Sequence, residues 1–396
     1  MKPTILLAGV KIAARKSTKF QPLCHPTLVK SYFKLRAHLQ HHWQFPRRMI
    51  VIVLRTGNSP CLICSALDCG LNVAETITVD KYGTGNFTTV QGAIDSVPSN
   101  NNRWIHIYVK SGFYIEQVNI GQDKSCIFLE GVTNRKTVIQ YDAHEATNSS
   151  ISFSLLAENF VAKNIGFKNT YNLGGGGSNR KPAVAAFICG DKASFYSCGF
   201  FGLQDTLWDE HGRHYFKQCY IEGAVDFIFG AGQSIYEECV VNVTADVLYQ
   251  SDGPVGFITA QRRTSPDDPS GFVFKQAAVV GKGLTNLGRA YGPYSRVIFV
   301  RSMLSEVVVP KGWDAWNYVG HEYDHFTLSN FTLSWIKHGF NSWENLVYAE
   351  ALCYGSGSNT SERVSWEKKL SGSQVRDLTQ LSFIDQEGWI EKQPRN

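Results

Sequence analysis

The sequence predicts an all-β solenoid, a parallel β-helix, and three observations carry that prediction. The first is an internal repeat. FYSCGF from Phe195, FKQCYI from Phe216 and YEECVV from Tyr236 align an aromatic column, a cysteine column three residues on (Cys198, Cys219, Cys239) and an apolar column five residues on (Phe200, Ile221, Val241), with steps of 21 and 20 residues. Repeats of that length stack as coils, each burying its face against the next. The second is a series of short β-like runs separated by turn residues, with no long helix between them. The third is composition. The 396 residues include 35 Gly and only 3 Met, against 24 Phe, 17 Tyr and 9 Trp, a balance that favours strands and turns over a helical bundle.

The elements follow in order. Ordered sequence starts near Ala74-Glu-Thr-Ile-Thr-Val-Asp80. Residues Asn86 to Pro98 space Val90, Ala93, Ile94 and Val97 along one helical face, and Pro98 stops them, which predicts a short capping helix. Strand-like runs come next at Ile105–Val109, Cys126–Leu129 and Thr137–Ile139. In the repeat, the five-residue offset between aromatic and apolar columns is odd. One straight strand cannot bury both, so a bend must separate them. FVAKNI from Phe160 and FKQAAV from Phe274 are expected to extend the columns. Three stacked cysteines cannot all pair with one another, so most of the cysteine column is expected to be buried free thiol.

The repeat turns sequence spacing into distance. Asp205 lies ten residues after Phe195, and Asp226 lies ten after Phe216. The two are expected one coil apart in one column, across a strand spacing of ~4.8 Å. Two unit charges at about 5 Å repel by roughly 3 kcal/mol at an effective dielectric of about 20. That splits their titration and leaves one carboxyl ionised and one protonated, the requirement for a nucleophile or base beside a general acid. A single Asp after a strand is usually a turn or cap residue, but two in register are harder to explain so. Asp226 sits in the apolar run Asp226-Phe-Ile-Phe-Gly230, where an unpaired charge is costly. Arg289, in Leu287-Gly-Arg-Ala-Tyr291, is the expected partner.

These residues, with Gly112-Phe-Tyr-Ile-Glu116, Gln204-Asp-Thr-Leu207, Thr259-Ala-Gln261 and Gly312-Trp-Asp-Ala-Trp-Asn317, resemble the plant pectin methylesterase (pectinesterase) family over roughly residues 75 to 390. The resemblance implies a single-stranded right-handed parallel β-helix of the pectin lyase-like kind. It implies a carboxylic ester hydrolase that removes methyl esters from homogalacturonan, releasing methanol, in cell wall modification. Asp226 would be the nucleophile and Asp205 the acid and then base. Gln204 would donate to the oxyanion, and Arg289 would hold Asp226 ionised. Tyr291 and Phe229 would line sugar subsites, and Ser152 joins them as a substrate-binding candidate. No cofactor and no metal are implied. The expected partners are methyl-esterified homogalacturonan and a proteinaceous pectinesterase inhibitor, with no nucleic acid, no membrane span and a monomeric state.

The chain departs from the family pattern in three places. Pro182-Ala-Val-Ala-Ala186 begins with proline where the family has glutamine, so one of two expected oxyanion donors is absent. Such a loss costs on the order of 10²–10³ in rate elsewhere. Leu-Gly-Arg-Ala-Tyr291 replaces a Pro-Trp ending and keeps an aromatic face. Residues 321–343 read as an atypical insertion in the 75–396 catalytic domain.

Charge and leader set location. Residues 1–67 hold eleven Lys/Arg and no acid, leaving 28 basic against 34 acidic residues in the remainder. The formal charge of +5 therefore does not point to a polyanionic partner, because the body is mildly acidic. Residues 1–74 are expected to be a targeting or poorly ordered leader without the amphipathic repeats of an inhibitor-like helical domain. Sequons at Asn86, Asn148, Asn242, Asn330 and Asn359 favour a secreted, cell-wall glycoprotein, with organelle targeting as the runner-up. Cys61-x-x-Cys64 lacks a second ligand pair at zinc-like spacing. A pectate lyase or polygalacturonase on the same fold, and an inactive wall-binding β-helix, are the competing readings.

Overall fold

The computed structural model describes residues 69–173, 180–250, 255–318 and 345–394. The Cys61-x-x-Cys64 motif and the 321–343 insertion lie outside them. The described residues build a parallel β-helix of three sheets with ten, eight and eight strands, and every strand pairing in them is parallel. A typical coil runs through Ala193–Tyr196, Gly199–Phe201 and Leu207–Asp209, one strand in each sheet, before the next begins at Arg213.

The capping helix forms at Val90–Ser96 with Thr89 as its N-cap, and Val90, Ala93 and Ile94 close the end of the core. The strand-like runs become Val73–Val79, Trp104–Val109, Ile127–Glu130 and Thr137–Tyr141.

The aromatic column is a physical stack. Phe195, Phe216, Tyr236, Phe274 and Phe299 are paired rung to rung. Their ring centroids lie 4.9, 4.5, 4.7 and 4.4 Å apart and their planes within 12° of parallel. Strand spacing imposes this arrangement, since rings in identical rotamers on adjacent rungs fall about one strand separation apart. Phe160 does not belong to the column as expected. It pairs with Ala193, and Ala162 occupies the rung below Phe195. The matching segment is Ala162–Phe167, in which Phe167 pairs with Phe200. Aromatic identity alone misplaced the segment by two residues.

The predicted bend is a single left-handed residue. Asn164, Ser197, Gln218, Glu238, Gln276, Arg301 and Leu352 have φ between 48° and 56°. Each lies two residues past its column position. Such a residue costs roughly 1–2 kcal/mol without glycine, so the stacked rungs must hold each one in place.

Cys198, Cys219 and Cys239 are buried free thiols. The Cys219 thiol donates to the Phe195 carbonyl at 3.3 Å and Cys239 to Phe216 at 3.4 Å. Farther along, Ser302 donates to Phe274 at 3.4 Å and Cys353 to Phe299 at 3.5 Å. The column thus gives the aromatic column's carbonyls an additional buried side-chain donor. Burial pushes the Cys219 thiol well above its ordinary value, so Cys219 is structural.

Two further devices lock the solenoid. Cys69 and Cys126 form a disulfide that ties the first described residues to the ten-stranded sheet. At the other end, Ile384, Trp389 and Ile390 pack on Tyr215, Ile235 and Val273 across the outside of the same sheet. Gln393 donates to the Lys192 carbonyl at 2.8 Å, and Glu387 pairs with Lys192 at 2.9 Å and Arg213 at 2.7 Å.

Candidate active site

The site lies on the sheet that holds Leu207–Asp209, Val225–Gly230, Val255–Gln261 and Leu284–Ala290. Gln204 bridges Val225 in parallel register, which sets Asp205 against Asp226 on adjacent rungs. The Asp205 N–H donates to the Val225 carbonyl at 3.0 Å. Both aspartates are left-handed, with φ of 60° and 47°. Asp and Asn tolerate this conformation better than most residues, and strain of this kind gathers at functional sites. Asp226 also lies where the register shifts between Val225 and Ile228. Thr206 anchors the segment beneath, its hydroxyl donating to the Glu222 carbonyl at 3.0 Å.

Arg289 reaches Asp226 from the second rung along. Its Nε donates to Oδ1 at 2.7 Å and its Nη2 to Oδ2, a two-bond fork. The guanidinium is held between two rings, 4.4 Å from the Phe257 centroid and 3.9 Å from that of Trp316. Such cation–π contacts fix the plane of the fork. Gly288 must be glycine, because a Cβ there would sit 2.1 Å from the Thr259 hydroxyl. Thr259 in turn donates to the Leu287 carbonyl at 2.9 Å, and buried Gln261 accepts from the Arg263 and Arg296 N–H groups at 3.0 and 2.9 Å. Thr259-Ala-Gln261 is therefore scaffold for the arginine strand.

Burial and the neighbouring Asp226 charge push the Asp205 carboxyl up to about 8, against the opposing charge of Arg289. Burial also raises Asp226, but there the hydrogen bond and charge of Arg289 act directly against it. Asp205 makes no salt bridge among the described residues. The two carboxyls are thus asymmetric: one held by a cation, the other disposed to keep its proton.

The remaining expected residues divide. Tyr291 is 45% exposed and stacks on Trp316 with centroids 5.9 Å apart. Phe229 is only 7% exposed and stacks on Trp208 at 5.3 Å, which meets Phe187 edge-on at 4.7 Å, so Phe229 belongs to a three-ring ladder along the coil axis. Ser152 is corrected. It is fully buried, with its hydroxyl directed to the Tyr141 carbonyl at 3.4 Å, and a polymer on the surface cannot touch it. Phe257 and Trp316 carried no assigned role in the sequence reading. Trp316 stood inside the Gly312–Asn317 motif, so its signal was present. Phe257 has only its position two residues before Thr259.

A parallel β-helix with this pair of unlike carboxyls on one face fits a carboxylic ester hydrolase of the polysaccharide-processing kind, and the likeness to known proteins decides for it. The family model described as Pectinesterase matches residues 76–387, and the chain belongs to that family. It is 50% identical over 322 residues to Probable pectinesterase 29 of Arabidopsis thaliana, covering 80% of this chain and 89% of that one. It is equally identical, over 80% of this chain and 91% of the relative, to Probable pectinesterase 55 of the same plant. Among solved structures it resembles pectin methylesterase from carrot, with a TM-score of 0.70 and 26% identity over 82% of this chain and 98% of that one. The protein is a pectinesterase that hydrolyses the methyl esters of homogalacturonan, on a right-handed parallel β-helix.

Proposed function

We propose that Asp226 is the nucleophile of this ester hydrolysis and Asp205 its acid and base. A carboxylate oxygen of Asp226 attacks the C6 carbonyl carbon, and the carbonyl electrons move onto oxygen. The Gln204 amide N–H donates to that oxyanion. As the tetrahedral species collapses, the methoxy oxygen leaves with the Asp205 proton as methanol. Asp205, now ionised, takes a proton from water, and the hydroxide attacks the acyl group. The uronic acid departs, Asp226 recovers its carboxylate, and the proton remains on Asp205. Arg289 keeps Asp226 ionised for the first step.

The observation that carries this reading is the asymmetry of two aspartates on adjacent rungs, one forked to Arg289 and the other raised to about 8. The test is methanol release from methyl-esterified pectin by purified protein. Asp226→Asn and Asp205→Asn are each expected to lower kcat by about 10³ or more; methanol release at the wild-type rate by Asp226→Asn refutes the nucleophile.

Tyr291 and Phe229 are assigned to the sugar subsites, Tyr291 by its exposed face and Phe229 through its stack with Trp208. We assign residues 1–74 to a leader, 75–396 to the catalytic domain, and the product to the cell wall, as a secreted and glycosylated monomer open to a proteinaceous inhibitor. The Cys69–Cys126 disulfide supports an oxidising compartment.

A further inference from the structure

Gln204 is itself held by a cation. Arg180 Nε donates to Gln204 Oε1 at 3.1 Å, and both side chains are half-buried. Arg180 stands just before the strand Val184–Ile188, on the rung next to Gln204. The Ala183 N–H donates to the Gln204 carbonyl at 3.2 Å, and the Ala185 N–H to the Thr206 carbonyl at 2.9 Å. The two segments are therefore laced together by backbone, and the side-chain contact is built on a fixed frame.

A carboxamide has an accepting end and a donating end. With Oε1 bound to a guanidinium, the donating end is the one left for a substrate. Turning the amide over would set its N–H groups against the guanidinium and lose a charge-assisted bond. The same contact draws electron density toward Oε1, which strengthens Nε2–H as a donor. Pro182, between Arg180 and the strand, has neither a backbone N–H nor a side-chain donor. Gln204 therefore gains nothing from that residue, and the quality of its own N–H matters more.

We propose that Arg180 is the positioning residue of the oxyanion site, fixing and polarising the Gln204 carboxamide so that Nε2 meets the developing oxyanion. The proposal rests on the role given to Gln204 above. Arginine suits the task because it stays charged at every working pH and holds a planar donor in place.

The test is steady-state methanol release from methyl-esterified pectin by Arg180→Ala, Arg180→Lys, Gln204→Ala and the Arg180→Ala/Gln204→Ala double variant, with thermal midpoints measured alongside. Arg180→Ala is expected to lower kcat about 10- to 100-fold and to change KM less than about threefold, since the lost interaction acts in the transition state. Arg180→Lys should recover part of the loss, because an ammonium can still donate to Oε1. The double variant should be no slower than Gln204→Ala, because the effect proposed for Arg180 on the reaction passes through that amide. An unchanged kcat in Arg180→Ala beside a slow Gln204→Ala overturns the proposal alone. So do losses that add fully in the double variant, or a kcat loss that follows a fallen thermal midpoint and persists in Arg180→Lys. A fully active Gln204→Ala overturns the oxyanion reading and this proposal together.

Discussion

At Asp205, burial and a neighbouring anion push in the same direction, and the consequence is readable in both activity and stability. The folded-state value of about 8 lies above the ordinary carboxyl value of 3.8. A group raised in this way favours the fold fully below its unfolded pKa, and that advantage is lost as pH rises through the folded value. Asp205→Asn should therefore match the wild type in stability near pH 3.5 and exceed it at pH 8 to 9, by on the order of a few kcal/mol. Urea titrations at the two pH values check this. In the active protein, kcat should fall as pH rises past about 8, as Asp205 loses the proton it must donate. Arg289→Ala removes the force that opposes burial at Asp226. The acid limb of the kcat/KM profile should then move to higher pH and kcat should drop about 10²-fold or more, which a pH series on pectin measures. Asp205, Asp226 and Arg289 were legible because the period fixed two of them and the cost of a buried charge demanded the third. Ser152 was misleading because its hydroxyl turns to the Tyr141 carbonyl and is fully buried, which the type of residue alone does not reveal. Arg180 and Trp316 reach the site from outside the strands, Trp316 from the 3-10 turn Trp316–Tyr318, where the strand period does not reach.

The bend-and-stack unit is the element that repeats. Removing one ring from the middle of the stack opens a cavity with rigid neighbours above and below. Phe216→Ala should cost about 3–5 kcal/mol, measured as a lowered denaturant midpoint. The cysteine column gives a finer test. Ser302 already performs the carbonyl contact with a hydroxyl, donating to Phe274. Cys219→Ser should hence retain that hydrogen bond, while Cys219→Ala should lose roughly 1 kcal/mol more than the serine variant. Amide exchange at the Phe195 and Phe216 rungs separates the two. The columns could be seen in sequence because stacked rungs place like on like. Phe160 failed because ring type was used as the marker, whereas the left-handed position at Asn164 is what aligns with Ser197. A search for that bend, followed three residues on by a buried apolar residue, finds Ala162–Phe167 correctly. Arg296–Val300 and Val347–Ala351 continue the pattern, pairing in register.

For the molecule as a whole, contacts between neighbouring coils dominate, and stability would otherwise be local. The disulfide closes 57 residues of chain between Cys69 and Cys126. Its chain-entropy effect is about 4 kcal/mol, so the double variant Cys69→Ser/Cys126→Ser should unfold at clearly lower temperature, with the earliest exchange in the N-terminal coils. The C-terminal segment was not legible beforehand, because it has no period and packs on the outside of a sheet. It touches four successive strands of that sheet, through Lys192, Arg213, Gln233 and Val273. Two of those coils carry Asp205 and Asp226 on another side. The tail behaves as a splint, turning four planks that could loosen one after another into a single beam. A protease nick near residue 380 is thus expected to lower the melting temperature of the coils that carry both aspartates, which a melting curve before and after cleavage checks.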